Sequence, residues 1–373
     1  MLLVTFFLLV FASIVVCAEE SESAPDEYTA FLDSLPKSVA DKLPEEAFSG
    51  SVEEISNAAE AVSSPSYLFK VVLDAFGANI SNLAPTLALL CGIIMIASVA
   101  NTLSSSFGGG VGKTAEACIR LCSFCAISTL AISSLSRLEE YFNSLFEAVA
   151  AFLPLSAALY AMGGNLTSAI SSSVSLNTTL AVCQFFCAKT VIPVFCICLS
   201  FSLLLAFDGL GANIGVKASA SIKKWYVTFL SFVMMILTVT LASQGLLSAK
   251  ADGAAMKGAK FAVSSFVPLS GGTLSGTLGT LASSVELMRG AVGIIGVAVI
   301  LLLLIPVVVE LALFRGVLSI AAFVSGMVGC SGEEKLINEV GSLYGYLEGI
   351  AALCSAVFII SFAMFAASVT PFS

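Results

Sequence analysis

The 373-residue chain contains no histidine, and only 11% of its residues are charged. A soluble domain keeps roughly a quarter of its residues charged, because its surface must be solvated by water. Histidine is also the commonest general base and metal ligand, so its absence argues against an enzyme. With 58% hydrophobic residues and a mean hydropathy of +1.02, the composition predicts an all-α, polytopic membrane helical bundle without catalytic residues.

The chain begins with an apolar run, residues 1–18, which ends at Ala18 just before the acidic Glu19. A short apolar run that closes on small residues is typical of a secretory signal peptide. No Lys or Arg precedes the run, so an uncleaved membrane anchor is the alternative. The sequence predicts a signal peptide at residues 1–18.

Acidic residues are concentrated directly behind this run. More than half of the 25 acidic residues lie between Glu19 and Asp74, together with only Lys37, Lys42 and Lys70 of the 16 basic ones. Lys and Arg are retained on the cytoplasmic side of a membrane protein, so an acidic stretch fits the opposite side. Residues 19–82 are predicted to form an extracytoplasmic segment with short amphipathic helices, either a docking arm or a solvated leader without a partner.

The rest of the chain, residues 83–373, is a series of apolar stretches, and about 20 such residues cross ~30 Å of hydrocarbon. The clearest are Leu83–Ser104, Cys118–Leu135, Phe146–Met162, Ala291–Phe314 and Leu343–Ala367. A further stretch, Thr178–Phe207, contains Pro193 and fits either two helices at a break or one kinked helix. Together with Trp225–Leu247, these stretches predict six to eight spans.

Lysines flank both ends of Trp225–Leu247, so positive charge does not give a clean orientation. A re-entrant or interfacial element between residues 249 and 290 would resolve the conflict, because non-helical backbone is tolerated at membrane depth when protein or water surrounds it. The acidic group of Glu333, Glu334 and Glu339, before the last span, is expected on the outer side of the membrane.

The candidate functional positions are five ionisable residues in or near apolar segments: Asp252, Lys260, Glu286, Arg289 and Glu310. Asp252 falls on the apolar face of a predicted amphipathic helix, and Lys260 falls on its basic face. An ionisable group on a packed face of a membrane protein is a functional-site hypothesis. The alternative for Asp252 is a carboxylate that complements the dipole at a helix start. Glu310 lies in an apolar span and has no partner at helical spacing.

Small residues dominate the stretch between Pro268 and Ser284, which is rich in Gly, Ser and Thr. Small residues let helix backbones approach closely, and hydroxyl groups can also line a solute path. Both a pore lining and tight helix packing remain open. Gly341, Gly345 and Gly349 make a second small-residue stripe, which predicts a helix contact face.

The 11 cysteines give no sign of a metal or redox site. Cys122 and Cys125 form a CxxC pattern inside an apolar span, but no second pair and no histidine completes a ligand set. We therefore expect the cysteines to be buried packing residues, and we expect neither a metal nor a cofactor.

A series of short motifs lies between Lys217 and Gly296. They are Lys223-Lys224-Trp225, Ala251-Asp252-Gly253, Ala259-Lys260-Phe261-Ala262, Phe266-Val267-Pro268, Gly271-Gly272 and Gly290-Ala291-Val292-Gly293. This region resembles the signature region of the stage III sporulation protein AE family, with Gly253, Phe261, Pro268, Gly271 and Gly272 among its marker positions. The order of signal peptide, acidic segment and multi-span body is similar to that family over most of the chain.

The resemblance implies a permease-like membrane component of the channel complex between mother cell and forespore, required for endospore development. It implies a multi-pass protein of the mother-cell membrane around the forespore. The implied partners are other stage III sporulation A proteins, including ring-forming members and an ATPase, and indirectly stage II sporulation protein Q; no nucleic acid is implied. Two alternatives stay open: a self-contained secondary transporter for a small solute, and a structural membrane anchor for ring proteins.

Overall fold

The computed structural model describes residues 25–106, 110–206, 210–266 and 271–367, and these residues form an all-α fold. The predicted signal peptide and Pro268 lie outside the described residues. Helices suit this composition, because a helix satisfies its backbone hydrogen bonds internally and can therefore enter an apolar environment.

The acidic segment forms short helices: α1 (Asp26–Asp33), α2 (Lys37–Ala40), a 3₁₀ turn (Glu45–Phe48) and α3 (Val52–Ser63). Pro25, Pro36 and Pro44 directly precede the first three of these elements. Proline is tolerated at a helix start, since the first N–H groups have no intrahelical partner. The chain therefore turns repeatedly over a short distance.

Six long helical segments follow. They are α4 (Pro65–Ser106), α5 (Gly110–Met162), α6 (Leu166–Cys183) continued by a π-helix (Gln184–Thr190) and α7 (Val191–Leu203), α8 (Leu210–Phe266), α9 (Gly271–Met327) and α10 (Ser331–Ala367). A 3₁₀ turn, Leu204–Ala206, follows α7. By length and composition, six segments of the described chain can cross a membrane: Leu83–Thr102, Glu116–Met162, Leu166–Leu203, Ile214–Gly245, Ser284–Met327 and Ser331–Ala367.

The helix bounds differ from several predicted spans. Cys118–Leu135 and Phe146–Met162 lie in the single helix α5, because no Gly or Pro interrupts the charged residues between them. Trp225–Leu247 is the middle of the longer helix α8. Thr178–Phe207 is one helical run as far as residue 206, and its irregularity is the π-helix.

The π-helix comes directly before Pro193, which explains its position. Proline has no N–H and its ring clashes with the carbonyl four residues earlier, so an ordinary α-helix is strained there. The wider π turn absorbs this strain. Thr190 Oγ1 also donates to the Phe185 carbonyl at 2.9 Å, which satisfies a carbonyl within the widened segment.

Residues 249–266 and 271–290 are helical and continue α8 and begin α9. The described part of the region therefore has no non-helical backbone, and a re-entrant element stays a prediction. The long helices on either side simply extend into it, because its Gly, Ser and Thr residues do not by themselves end a helix. An interfacial location stays a prediction.

Consecutive long helices alternate in direction, so the bundle has two ends. At the leader end, defined by α1–α3, Phe31 packs edge to face against Phe152 of α5 with ring centroids 5.7 Å apart. At the junction end, defined by the α9–α10 connection, Asn101 Nδ2 of α4 lies 3.7 Å from Cys330 Sγ. The acidic segment and Glu333 are thus at opposite ends. In a bundle that crosses the membrane from end to end, they therefore face opposite sides, so only one of them can lie on the outer side that is expected for both.

The leader is packed onto the bundle. Tyr28, Phe31 and Ile55 are buried, and α3 packs against α9. Tyr28 Oη donates to the Ala47 carbonyl at 2.8 Å. Burial raises the pKa of the Tyr28 phenol, so it stays neutral and keeps this hydrogen bond. These helices therefore form a cap rather than a loose arm.

A very close helix contact joins α9 and α10. A Cβ added to Gly293 would lie 2.6 Å from the Ala366 Cβ, and one added to Gly296 would lie 2.6 Å from Phe362 Cδ2. Only glycine fits at this crossing, where Phe362 also stacks on Phe152 with centroids 3.9 Å apart.

The predicted stripe of Gly341, Gly345 and Gly349 is only partly a contact face. Added Cβ atoms would meet α9 side chains at Gly341 and Gly345, but nothing lies within 4 Å at Gly349. The spacing of small residues correctly indicated one helix face, but only the part of that face at Gly341 and Gly345 contacts α9.

Candidate polar cavity at the leader end

A cavity of about 370 Å³ lies at the leader end, among the end of α5, the first half of α6, α8, the start of α9 and the end of α10. Its polar lining comprises Tyr160, Asn165, Gln244, Arg289 and the serines Ser168, Ser171, Ser172, Ser175, Ser248 and Ser361. This volume falls in the range of small-molecule sites. The rest of the lining is apolar, so the polar groups are set in a mostly apolar wall.

Four of these serines belong to α6. Ser168, Ser171, Ser172 and Ser175 are spaced at i, i+3, i+4 and i+7, so they share one helix face. Ser175 Oγ donates to the Ser171 carbonyl at 2.7 Å. Within the described chain, the Ser171 and Ser172 hydroxyls make no side-chain hydrogen bond and can serve a bound molecule or water. Sequence reasoning missed this stripe, although its spacing was visible.

Asp252 is 4% exposed and caps the start of α6 from α8. Its carboxylate accepts from Thr167 N at 3.0 Å, Ser168 N at 2.8 Å and Ser168 Oγ at 2.5 Å. The first N–H groups of a helix lack intrahelical partners and carry partial positive charge. This geometry favours the helix-dipole alternative, but for a neighbouring helix. Asp252 thereby fixes Ser168, a residue of the cavity wall.

Arg289 supplies the cationic part of the wall. It is 1% exposed, and its guanidinium carbon lies 4.5 Å from the Tyr160 ring centroid and 5.6 Å from that of Phe365. A guanidinium stacks well on aromatic rings and still presents a planar fork of donors. Glu286, one turn earlier on α9, interacts with it electrostatically. Of the predicted pair, Arg289 therefore lines the cavity, and Glu286 lies behind it, outside the lining.

Glu310 is not brought to the cavity. Its Oε1 forms an ion pair with Arg137 Nη1 of α5, so the partner that was missing at helical spacing comes from another helix. Lys260, Gly253 and Phe261 lie in the last part of α8, and Gly271 and Gly272 begin α9.

A second buried polar group was not foreseen. Lys223 Nζ of α8 donates to Glu339 Oε1 of α10 at 2.7 Å, and Ser219 Oγ donates to the same oxygen at 2.7 Å. Both charged side chains are buried in the bundle. Trp225, two residues after Lys223, is 72% exposed.

The cysteines divide into two classes. Cys183, Cys187 and Cys354 are buried as predicted, whereas the CxxC residues Cys122 and Cys125 are exposed on α5. Burial by packing is therefore the wrong expectation for this pair, because no neighbour among the described residues covers its helix face. No group of three or more His, Cys, Asp or Glu side chains in the described residues could hold a metal ion.

Chemically, the cavity offers hydroxyls, amides and one guanidinium in an apolar bundle, which suits non-covalent binding of a small polar solute. Comparison with curated proteins and with solved structures finds no match. The family model of stage III sporulation protein AE matches residues 47–369, which include the cavity, Asp252 and all the signature motifs. The resemblance seen in the sequence is confirmed, and the chain belongs to the stage III sporulation protein AE family.

Proposed function

We propose that this stage III sporulation protein is a permease-like component of the channel complex between mother cell and forespore, and that the polar cavity is its solute site. The family match supports the role in sporulation, and six membrane-capable helices support the membrane location. The observation that carries the permease-like role is the cavity itself. We further propose that the protein acts without catalysis and without a cofactor.

The cavity is informative because polar groups are costly inside a membrane bundle. Such groups pair with one another, or they face water or a ligand. Ser171, Ser172 and Gln244 line the cavity, and the guanidinium of Arg289 forms part of its wall. A protein that only anchors other subunits needs no internal cavity with polar groups, so a solute path is the better explanation.

The proposed partners follow from the family and from the position of the leader. They are the ring-forming and ATPase members of the stage III A group and, through them, stage II sporulation protein Q. The leader helices cap the same end of the bundle that holds the cavity. A ring docked on the leader would therefore stand over the cavity. This arrangement belongs in the mother-cell membrane around the forespore.

A self-contained secondary transporter is the second candidate, since Arg289 lines an internal cavity. It uses the same site but needs no sister proteins. Deletion of the gene separates the two functions. A block after engulfment with normal growth supports the channel complex, and a growth defect on a solute with normal spores supports the free-standing transporter.

The role of the cavity is tested by filling it with larger side chains. In the native host, the double change Ser171→Leu and Ser172→Leu adds bulk to the cavity wall, and we expect normal protein levels with arrest after engulfment. Ser173→Leu is the matched control, because Ser173 lies on the same helix outside the lining and bonds to the Ala169 carbonyl. Heat-resistant spores are counted, and co-purification with sister proteins is measured.

Arrest of the double variant with retained co-purification supports a solute site, because assembly is then intact while passage is blocked. Normal spore counts in the double variant would contradict the proposal. Arrest together with lost co-purification would favour the structural anchor instead.

A further inference from the structure

A polar cluster at the junction end has no part in the proposed function. Its central residue is Glu333, in the first turn of α10, which is 2% exposed. Neither of its carboxylate oxygens has a hydrogen-bond partner within the described chain. Buried carboxylates are normally paired or hydrogen-bonded, because a dry, unbonded charge is strongly unfavourable.

The groups around Glu333 come from three elements. Arg120 and Glu116 of α5 form an i, i+4 ion pair, and the Arg120 guanidinium lies against Gly332. Arg120 attracts a charge on Glu333, whereas Glu116 repels it less strongly. Asn101 of α4 contacts Cys330.

The remaining charges on α10 lie elsewhere. Glu334 approaches Gly326, where an added Cβ would come 3.0 Å from its Oε2, and Lys335 is exposed. The cluster proper therefore contains two carboxyl groups and one guanidinium. Arginine keeps its proton in proteins, so only a carboxyl group can adjust its charge. Since Glu116 already forms the ion pair with Arg120, Glu333 is the group that adjusts.

The dipole of α10 acts in the opposite direction. Glu333 lies near the positive helix start, which favours an ionised carboxylate. That effect, the backbone N–H of Glu333 itself and Arg120 all favour the charged form, but neither carboxylate oxygen makes a hydrogen bond of normal geometry in the described chain. A dry carboxylate without such a bond costs far more than a dry carboxyl group, so burial outweighs these attractions.

We propose that Glu333 is a proton-binding site at the junction end of the bundle, and that it holds its proton at neutral pH. The step is a simple transfer of a proton from water to a Glu333 oxygen, with no change of covalent bonds in the chain. The site is distinct from the polar cavity at the other end, and it does not depend on the identity of the solute.

The first measurement is thermal unfolding of the full-length protein in detergent between pH 6 and pH 9. The folded state keeps a proton that the unfolded carboxyl releases, so stability falls as the pH rises through this range. We expect Glu333→Gln, which mimics the protonated form but has no proton to release on unfolding, to be more stable than the wild type across this range and to show a smaller fall. Glu334→Gln is the matched control and should leave the slope unchanged.

The second measurement is modification by dicyclohexylcarbodiimide, which attacks protonated carboxyl groups in apolar surroundings, with the adduct located by peptide mass spectrometry. We expect an adduct on Glu333 that declines as the pH rises, and none on Glu334. An unchanged slope in Glu333→Gln, or marked destabilisation of that variant at pH 6, overturns the proposal. Equal modification of Glu333 and Glu334 also overturns it.

Discussion

The polar cavity and the Lys223–Glu339 ion pair contain the same kinds of residue in opposite states. At the ion pair, Ser219 donates to Glu339 and Lys223 donates to Ser342, so each hydroxyl is used within the protein. At the cavity, the Ser171 and Ser172 hydroxyls face open space. Polar residues in a membrane bundle therefore indicate function only when their hydrogen-bonding capacity is not already satisfied by the protein.

Removing one partner of the ion pair is the strongest way to break this comparison. We expect Lys223→Ala to lower the free energy of unfolding by about 3–5 kcal/mol, because Glu339 is left as a buried, uncompensated charge. Thermal unfolding in detergent checks this, with the exposed neighbour Lys224→Ala as control. Equal stability of the two variants would show that the pair is solvated.

The wall of the cavity depends on the close α9–α10 crossing. We expect Gly293→Ala to cost about 1–3 kcal/mol, because the new methyl group would lie within 3 Å of Ala366. Gly290→Ala is the matched control, since nothing lies within 4 Å of its added Cβ. Unfolding midpoints that do not differ between the two would contradict the tight crossing.

Removal of Asp252, which caps α6 at Ser168, is expected to have a smaller effect on stability. We expect Asp252→Ala to cost about 0.5–2 kcal/mol, the usual range for loss of a helix cap. Amide hydrogen exchange should quicken at Thr167 and Ser168, whose N–H groups donate to Asp252. Asp252→Asn keeps an acceptor and should change exchange less. Unaltered exchange in Asp252→Ala would mean that the cap is not formed.

The smallest effect is expected at the second ion pair. Arg137 is 51% exposed at its side chain, so its attraction to Glu310 is only partly protected from solvent. We expect Glu310→Gln to cost about 0.6 kcal/mol, typical of a polar contact between membrane helices. Spore counts should stay normal. A sporulation defect at a normal protein level would instead make Glu310 a functional residue.

Much of the fold could be predicted from composition, because an apolar chain with few charges must be helical and membrane-embedded. The two apolar stretches of α5 were predicted separately, since the charged residues near Arg137 divide them in the sequence. Contacts between helices could not be predicted either, because the two partners lie far apart in the sequence. Glu310 is 173 residues from Arg137, and Thr167 is 85 residues from Asp252. Such pairings depend on the arrangement of helices, which spacing within one helix does not contain.

Helix α8 contains 57 residues, which corresponds to a rod of roughly 85 Å. Only about 30 Å of that length is needed to cross the hydrocarbon. Beyond the apolar segment that ends at Gly245, the helix continues to Phe266 and so extends roughly another 30 Å on the leader side. The helix therefore runs well past the length that hydrocarbon requires, and its extension is held to the bundle at Asp252, so the leader side of the molecule is thickened rather than flush with the membrane surface.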